Sequence, residues 1–223
     1  MGTWQYSKKD NCHIWVQDLY PKLLGNNVQF LGPVHGFTGN VFALLIGFEL
    51  LDNNQQQLLI EQSLKTFMDT AHVNKEHANW PMYARKDQFN AEEHMLLQLC
   101  HGAPGVLISF EKLYPYMNES QKRIFAKGVA LTFDAGPLVK TWGLCHGTAG
   151  NGYLFLKYFK LSQDEIWLDC ARKFAMHSMW QSKKMAKQYS RLRPDNWYGD
   201  LGLALYLKDC IEVNSNFPLL DYF

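Results

Sequence analysis

No five consecutive like charges occur anywhere in this chain, and its 22 lysines and arginines are almost cancelled by 21 aspartates and glutamates, for a formal net charge of +1. That lack excludes the electrostatic footprint of a nucleic-acid-binding protein and the polybasic patch of a membrane-surface protein. Long apolar runs are missing as well. The opening "MGTWQYSKKDNCHIW" has no continuous apolar stretch of the kind a signal peptide carries, and "VFALLIGFELL" is about half a membrane span. A soluble, cytoplasmic protein is expected, with no transmembrane segment and no nucleic acid among its partners. Cysteine is scarce and odd in number, at five without an export signal, which argues against a disulfide framework. There is no compact Cys-x-x-Cys knuckle, and no series of alternating strands separated by turn signals.

What the chain does contain is apolar and aromatic material for a core, at 47% and 14% of its 223 residues. It also contains a repeat. "HGFTG" at 35–39, "HGAPG" at 101–105, "HGTAG" at 146–150 and a degraded "YGDLG" at 198–202 align on Gly-x-x-Gly, with first glycines separated by 66, 45 and 52 residues. An apolar segment follows each copy, and then a helix-start signal. Asp52 with Gln55, Asn118 with Gln121 and Ser162 with Glu165 each pair an N-cap residue with a Glu or Gln three positions on, the arrangement of a capping box. Asn214 stands at the same offset in the fourth copy, with Phe217 where the box partner would be.

Each unit therefore reads as a glycine-rich loop, an apolar helix, a turn and a capped amphipathic helix. An apolar helix needs cover on all sides, whereas an amphipathic one needs it on one, so the pattern predicts inner and outer helical layers. Helical hairpins repeated in this way stack into a solenoid or close into a toroid. The expected fold class is all-α, and the long polar stretch from 71 to 95 is expected to be an insertion loop carrying surface histidines His72, His77 and His94.

The cysteines divide into two kinds. Cys170 and Cys210 lie in apolar helical patterns and read as small core residues. Cys100 and Cys145 each precede a His-Gly at equivalent repeat positions, and loops of a closed repeat converge at one end. Thiolate and imidazole are zinc ligands. On spacing alone, a shared metal site and a purely structural use of the glycines both remain open.

"LGPVHGFTGN", "LCHGAPGVL" and "GLCHGTAGNGY" together resemble the lanthionine synthetase C-like proteins, the eukaryotic branch in particular. The resemblance implies a partial α/α toroid, with 1–223 as one domain corresponding to the C-terminal part of the family's. It implies zinc held by Cys100, Cys145 and His146, with His35 as an acid/base beside the metal and His101 next to the first ligand. It further implies addition of a thiol, in the eukaryotic branch glutathione, to dehydroalanine or dehydrobutyrine in a peptide or protein. Lys140 stands where those relatives carry a lysine associated with glutathione binding. Arg191 and Arg193 flank a basic position of the family that Leu192 occupies. The four units are fewer than the family's toroid has, and the fourth has lost the Glu-Gly ending, with Asp200 nearby. Two further expectations follow: a homo-oligomer covering the open face, and, as the rival reading, a non-catalytic glutathione- or protein-binding helical module.

Overall fold

The computed structural model describes residues 4–8, 12–15, 28–84, 95–218 and 220–221. The chain divides into two compact units, Met1–Leu131 and Thr132–Phe223. Among the described residues there are seven α-helices, and the strands form two short antiparallel hairpins, so the expected all-α class is the one observed. In the first unit, β1 (Gln5–Ser7) pairs with β2 (Cys12–Ile14), and α1 (Phe37–Ile46) follows the first glycine motif. Then come α2 (Asn53–Thr70), a hairpin of β3 (His72–Val73) and β4 (Ala78–Asn79), and α3 (Ala103–Phe110), which tightens into a 3-10 turn over Glu111–Tyr116. Helix α4 (Glu119–Ala135) begins in the first unit and ends in the second. The second unit holds α5 (Thr148–Ser162), α6 (Glu165–Tyr189) and α7 (Asp200–Glu212).

Burial separates the two layers. All eight residues of α3 are buried, as are the first ten of α5, Thr148 to Lys157. Helix α6, 25 residues long against 15 for α5, buries only one stripe, Leu168, Ala171, Phe174, Ala175, Ser178 and Gln181 with Cys170 beside it, spaced three and four apart as one helical face requires. Within the first unit α1 packs on α3; within the second α5 packs on α7, and α6 lies against both.

The core of the second unit is aromatic, and its buried tyrosines Tyr153 and Tyr206 have their hydroxyls satisfied. Tyr153 sits 4.8 Å from the rings of both Tyr206 and Phe217. Its hydroxyl donates to Asp209 at 2.6 Å, and that of Tyr206 donates to the Ala171 carbonyl at 2.7 Å. Each such side chain contributes about 1.5–3 kcal/mol by leaving water, an amount a buried unpaired hydroxyl would largely offset. Lys157 is buried too, with its ammonium 2.8 Å from Asp221.

The inner helices solve their N-terminal problem without a side chain at the N-cap itself. Gly36, Gly102 and Gly147 occupy the N-cap positions, and none offers a side-chain acceptor. The carbonyls of the preceding loop take that role at α1 and α5, and Asn79 takes it at α3. Phe37 and Thr38 donate to Phe30 and Leu31, while Thr148, Ala149 and Gly150 donate to Thr141, Trp142 and Gly143, always seven residues back. Such a wrap presses the loop onto the helix, and the second motif glycine takes the pressure. A Cβ on Gly105 would lie 1.7 Å from the Leu99 carbonyl oxygen, and one on Gly150 would lie 1.7 Å from that of Leu144. Gly102 also has φ of +103°, which side-chain-bearing residues rarely adopt.

Three details depart from expectation. The Asp52/Gln55 and Asn118/Gln121 boxes are present with both reciprocal hydrogen bonds. Ser162, by contrast, is the last residue of α5, and Asp164 caps α6 by accepting from the Ile166 amide at 3.1 Å. Helix α5 continues to Ser162 and ends on Gln163 in the left-handed region, which moves the cap two residues on. Asn214 starts no helix among the described residues; it accepts from the Asn216 amide in a turn. In the described part of the 71–95 stretch, Trp80 is buried with its indole N–H on the Phe67 carbonyl and Asn79 Oδ1 accepts from the Ala103 amide at 2.7 Å, capping α3. His72 is exposed and His77 half-buried, and His94 lies outside the described residues. No helix among them is long and apolar enough to cross a membrane.

Alanine is a better helix former than glycine by about 1 kcal/mol, but at Gly150 its methyl would enter a backbone oxygen that cannot rotate away. Gly150→Ala is expected to destabilise the protein by about 1–3 kcal/mol, read as a fall in thermal midpoint. An unchanged or raised midpoint would mean the loop is not pressed onto α5.

Candidate metal and thiol site

The first unit brings together His35, Cys100 and His101. The loop before α3 makes a tight bridge in which Gln98 and His101 exchange both backbone hydrogen bonds, at 3.0 and 3.1 Å, leaving Cys100 at the tip. Gln98 then turns its amide back, and Nε2 donates to Cys100 Sγ at 3.0 Å. The neighbouring loop is pressed close, since a Cβ on Gly32 would lie 1.9 Å from the Cys100 carbonyl oxygen. His35 and His101 stack with ring centroids 5.8 Å apart, and Phe30 lies 5.8 Å from one and 5.6 Å from the other. His35 is half-buried, and that burial holds its pKa below the ordinary 6.5, so the imidazole is neutral near pH 7.

In the second unit, Cys145 Sγ and His146 Nε2 are 3.8 Å apart. Bond lengths to a tetrahedral zinc predict about 3.6 Å between a sulfur and a nitrogen ligand, so this pair fits one ion. The loop carrying it is latched to the segment before α7. The Cys145 amide donates to the Trp197 carbonyl at 2.8 Å, and Thr141 Oγ1 donates to that of Tyr198 at 2.9 Å. The His146 and Tyr198 rings stack at 5.3 Å with planes within 10°. The Arg193 guanidinium lies 5.2 Å from the Tyr198 ring centre, and Asp195 accepts from both Arg193 Nε and the Tyr198 amide.

Lys140, Arg191 and Arg193, which sequence reasoning could only place one by one, line the same cleft of about 540 Å³ together with Thr141, Trp142 and Tyr189. Their settings differ. Arg193 is engaged with Tyr198 and Asp195, whereas Arg191 is exposed at the cleft. The remaining thiols behave as core residues: burial raises the pKa of Cys170 and pushes Cys210 up to about 11. None of the five cysteines forms a disulfide.

Gln98, Asn79 and Tyr198 are the residues that sequence reasoning missed. Gln98 sits two positions before Cys100 and could have been suspected as a sulfur donor; Asn79 and Tyr198 act across long loops and left no local signal.

The family model for lanthionine synthetase C-like protein matches residues 6–213. Among curated relatives, the chain is 27% identical over 199 residues to glutathione S-transferase LANCL1 of Danio rerio, covering 86% of this chain and 46% of that protein. It is 26% identical over 200 residues to LanC-like protein GCL1 of Arabidopsis thaliana, covering 86% of this chain and 43% of that protein. The chain thus spans less than half the length of these relatives.

Asp195 holds the latch by two hydrogen bonds, so Asp195→Ala is expected to speed hydrogen exchange at the Cys145 and Tyr198 amides by about tenfold, the equivalent of one lost charge-assisted bond. Exchange unchanged at both amides would show that the latch does not depend on Asp195.

Proposed function

Because the chain belongs to the lanthionine synthetase C-like proteins, we propose that it adds glutathione to dehydroalanine or dehydrobutyrine residues of a peptide or protein, with Cys100, Cys145 and His146 as the ligands of one zinc ion. The observation that carries the reading is the Cys145–His146 pair, two soft donors at the separation a tetrahedral ion requires. A third ligand in Cys100 completes a Cys2His set that leaves a fourth position for substrate, as catalytic zinc sites do. Zinc at such a set lowers the pKa of a thiol entering the open position, so that a thiolate is available near neutral pH.

The protein's own residues supply binding and proton handling. Glutathione carries two carboxylates, and Lys140 and Arg191 line a cleft whose volume of about 540 Å³ suits a small ligand. Arg191 binds carboxylate in this reading, while Arg193 holds Tyr198 against His146. Neutral His35 takes the thiol proton as sulfur bonds to the β-carbon of the dehydroamino acid. The π electrons move toward the carbonyl, and the proton returns from His35 to the α-carbon, so nothing is oxidised or reduced. His101, stacked beside His35, fixes the orientation of that ring.

The reading is supported further by the relative named a glutathione S-transferase. Metal analysis of purified protein should find about one zinc per chain, absent in Cys100→Ala, and wild type should glutathionylate a dehydroalanine peptide. His35→Asn is expected to keep the metal and lose about 10²–10⁴ in turnover, the usual share of an acid/base group. Because His35 must start neutral and its pKa is held down, wild-type activity should persist below pH 6.5 before falling on the acid side. Folded protein without zinc would overturn the proposal; zinc and glutathione binding without turnover would leave a binding module.

A further inference from the structure

One stretch of this nearly neutral chain is far from neutral. Between Asp169 and Asp195 there is no acidic residue, and seven cations, Arg172, Lys173, Lys183, Lys184, Lys187, Arg191 and Arg193, fall in that interval. All seven are exposed, and three of them, Lys183, Lys184 and Lys187, sit on the last turns of α6. On the same helix, His177, Trp180, Lys184 and Gln188 recur at spacings of three and four, and so share one face. That face and the segment carrying Val139 line a second cleft of about 350 Å³. Lys140, Thr141, Trp142 and Met185 belong to both this cleft and the one assigned to glutathione.

The surface is built for mixed contact. Trp180 is 55% exposed and Val139 is 96% exposed, an arrangement soluble proteins seldom leave without use when polar groups surround it. Lys184 Nζ lies 5.1 Å from the centre of the Trp180 ring, and the His177 ring stands 5.4 Å away. The carboxylates facing this region are already engaged. Asp195 is paired with Arg193, and Asp200 accepts from Ser182 Oγ and the Arg193 amide.

We propose that the α6 cleft docks an acidic peptide segment, the part of the protein substrate that flanks the reacting residue. The inference rests on the glutathione reading for the identity of the neighbouring cleft. Charge complementarity selects the occupant: an Asp- or Glu-rich segment meets Lys184 in the cleft and the exposed Lys187 beside it while an apolar side chain covers Trp180. A cleft of about 350 Å³ admits a few side chains of an extended peptide. A nucleic-acid strand is disfavoured because, of the two tryptophans lining the cleft, Trp142 is buried and Trp180 alone is exposed, short of the succession of aromatic platforms that strand binding uses. A lipid surface is disfavoured by concavity, and by a lysine seated over the tryptophan that would have to insert.

The test uses the full chain and a fluorescent nine-residue peptide with acidic residues flanking a central alanine, so that no reaction intervenes. Lysine-flanked and neutral versions serve as controls. Anisotropy should show the acidic peptide binding at least about tenfold more tightly than the neutral one, with the difference shrinking as salt rises. Trp180→Ala and the double variant Lys184→Glu/Lys187→Glu, all at exposed positions, should each weaken acidic-peptide binding about tenfold and leave glutathione binding unchanged. Equal binding of acidic and lysine peptides, or charge reversal without effect, would overturn the proposal. So would a preference for phosphatidylserine vesicles or single-stranded RNA over the peptide. Peptide docking in a protein that lacks zinc or turnover would sink the reaction and leave the docking face; turnover indifferent to these variants would do the reverse.

Discussion

Everything at the site hangs on a backbone contact. In the first and third glycine motifs the loop folds back so that its carbonyls reach the first amides of the helix it is about to enter, and in all three the carbonyl six residues before the second glycine comes to rest where a side chain would be. A helix start normally needs four acceptors from somewhere. The loop supplies two or three of them at α1 and α5, Asn79 supplies one at α3, and the close contact at the second glycine is shared by all three motifs. Residues immediately before the glycines, namely His35, Cys100 with His101, and Cys145 with His146, inherit that sameness. The motif is thus a positioning device first, and the chemistry is written on the residues it positions.

The device would still be loose if the loops were held only at their helix end, and each unit adds a second anchor. In the first, Gln98 and His101 close a two-way backbone bridge around Cys100 while Phe30 and Gly32 press in from the neighbouring loop. In the second, Trp197 and Tyr198 accept hydrogen bonds from Cys145 and Thr141, and a stack of Arg193, Tyr198 and His146 fixes the imidazole plane. A histidine offered to a metal has little freedom to spare, because ring orientation decides where its lone pair points. The fourth repeat supplies that stack through Tyr198 of "NWYGD", while its Asp200 is turned to Ser182 and the Arg193 amide.

Much of this was legible beforehand, and the boundary of legibility is physical. Repeats, layers and caps are local in sequence, with periods of a few residues, so "HGAPG" and "HGTAG" announced the loop-to-helix junction and Asp52/Gln55 announced its cap. Ser162 misled because a helix can run past a good capping residue when the next one, Asp164, caps equally well. Asn79 could not be found from sequence: it reaches Ala103 across twenty-four residues, and "HANWP" reads as loop. Lys140, Arg191 and Arg193 could be nominated singly by resemblance, but nothing in their spacing says that one cleft gathers them, since α5 and α6 intervene. Discrimination between the two arginines needed Tyr198 and Asp195 in place.

Burial alone cannot distinguish a reactive thiol from an inert one, for all five cysteines are buried. What separates them is the company each keeps. Cys210 lies against Tyr206 and Asp209 on α7, where the charged form has lost its water and faces another anion, and its pKa rises to about 11. A thiol in that setting neither attacks nor ligates. Cys100 faces an amide N–H from Gln98, and Cys145 has an imidazole nitrogen 3.8 Å away. At Cys210 the Tyr206 hydroxyl offsets burial only in part, whereas the two loop thiols face groups of another kind, an amide N–H and an imidazole nitrogen. That difference in company is the physical content of a Cys-His-Gly motif repeated in one chain.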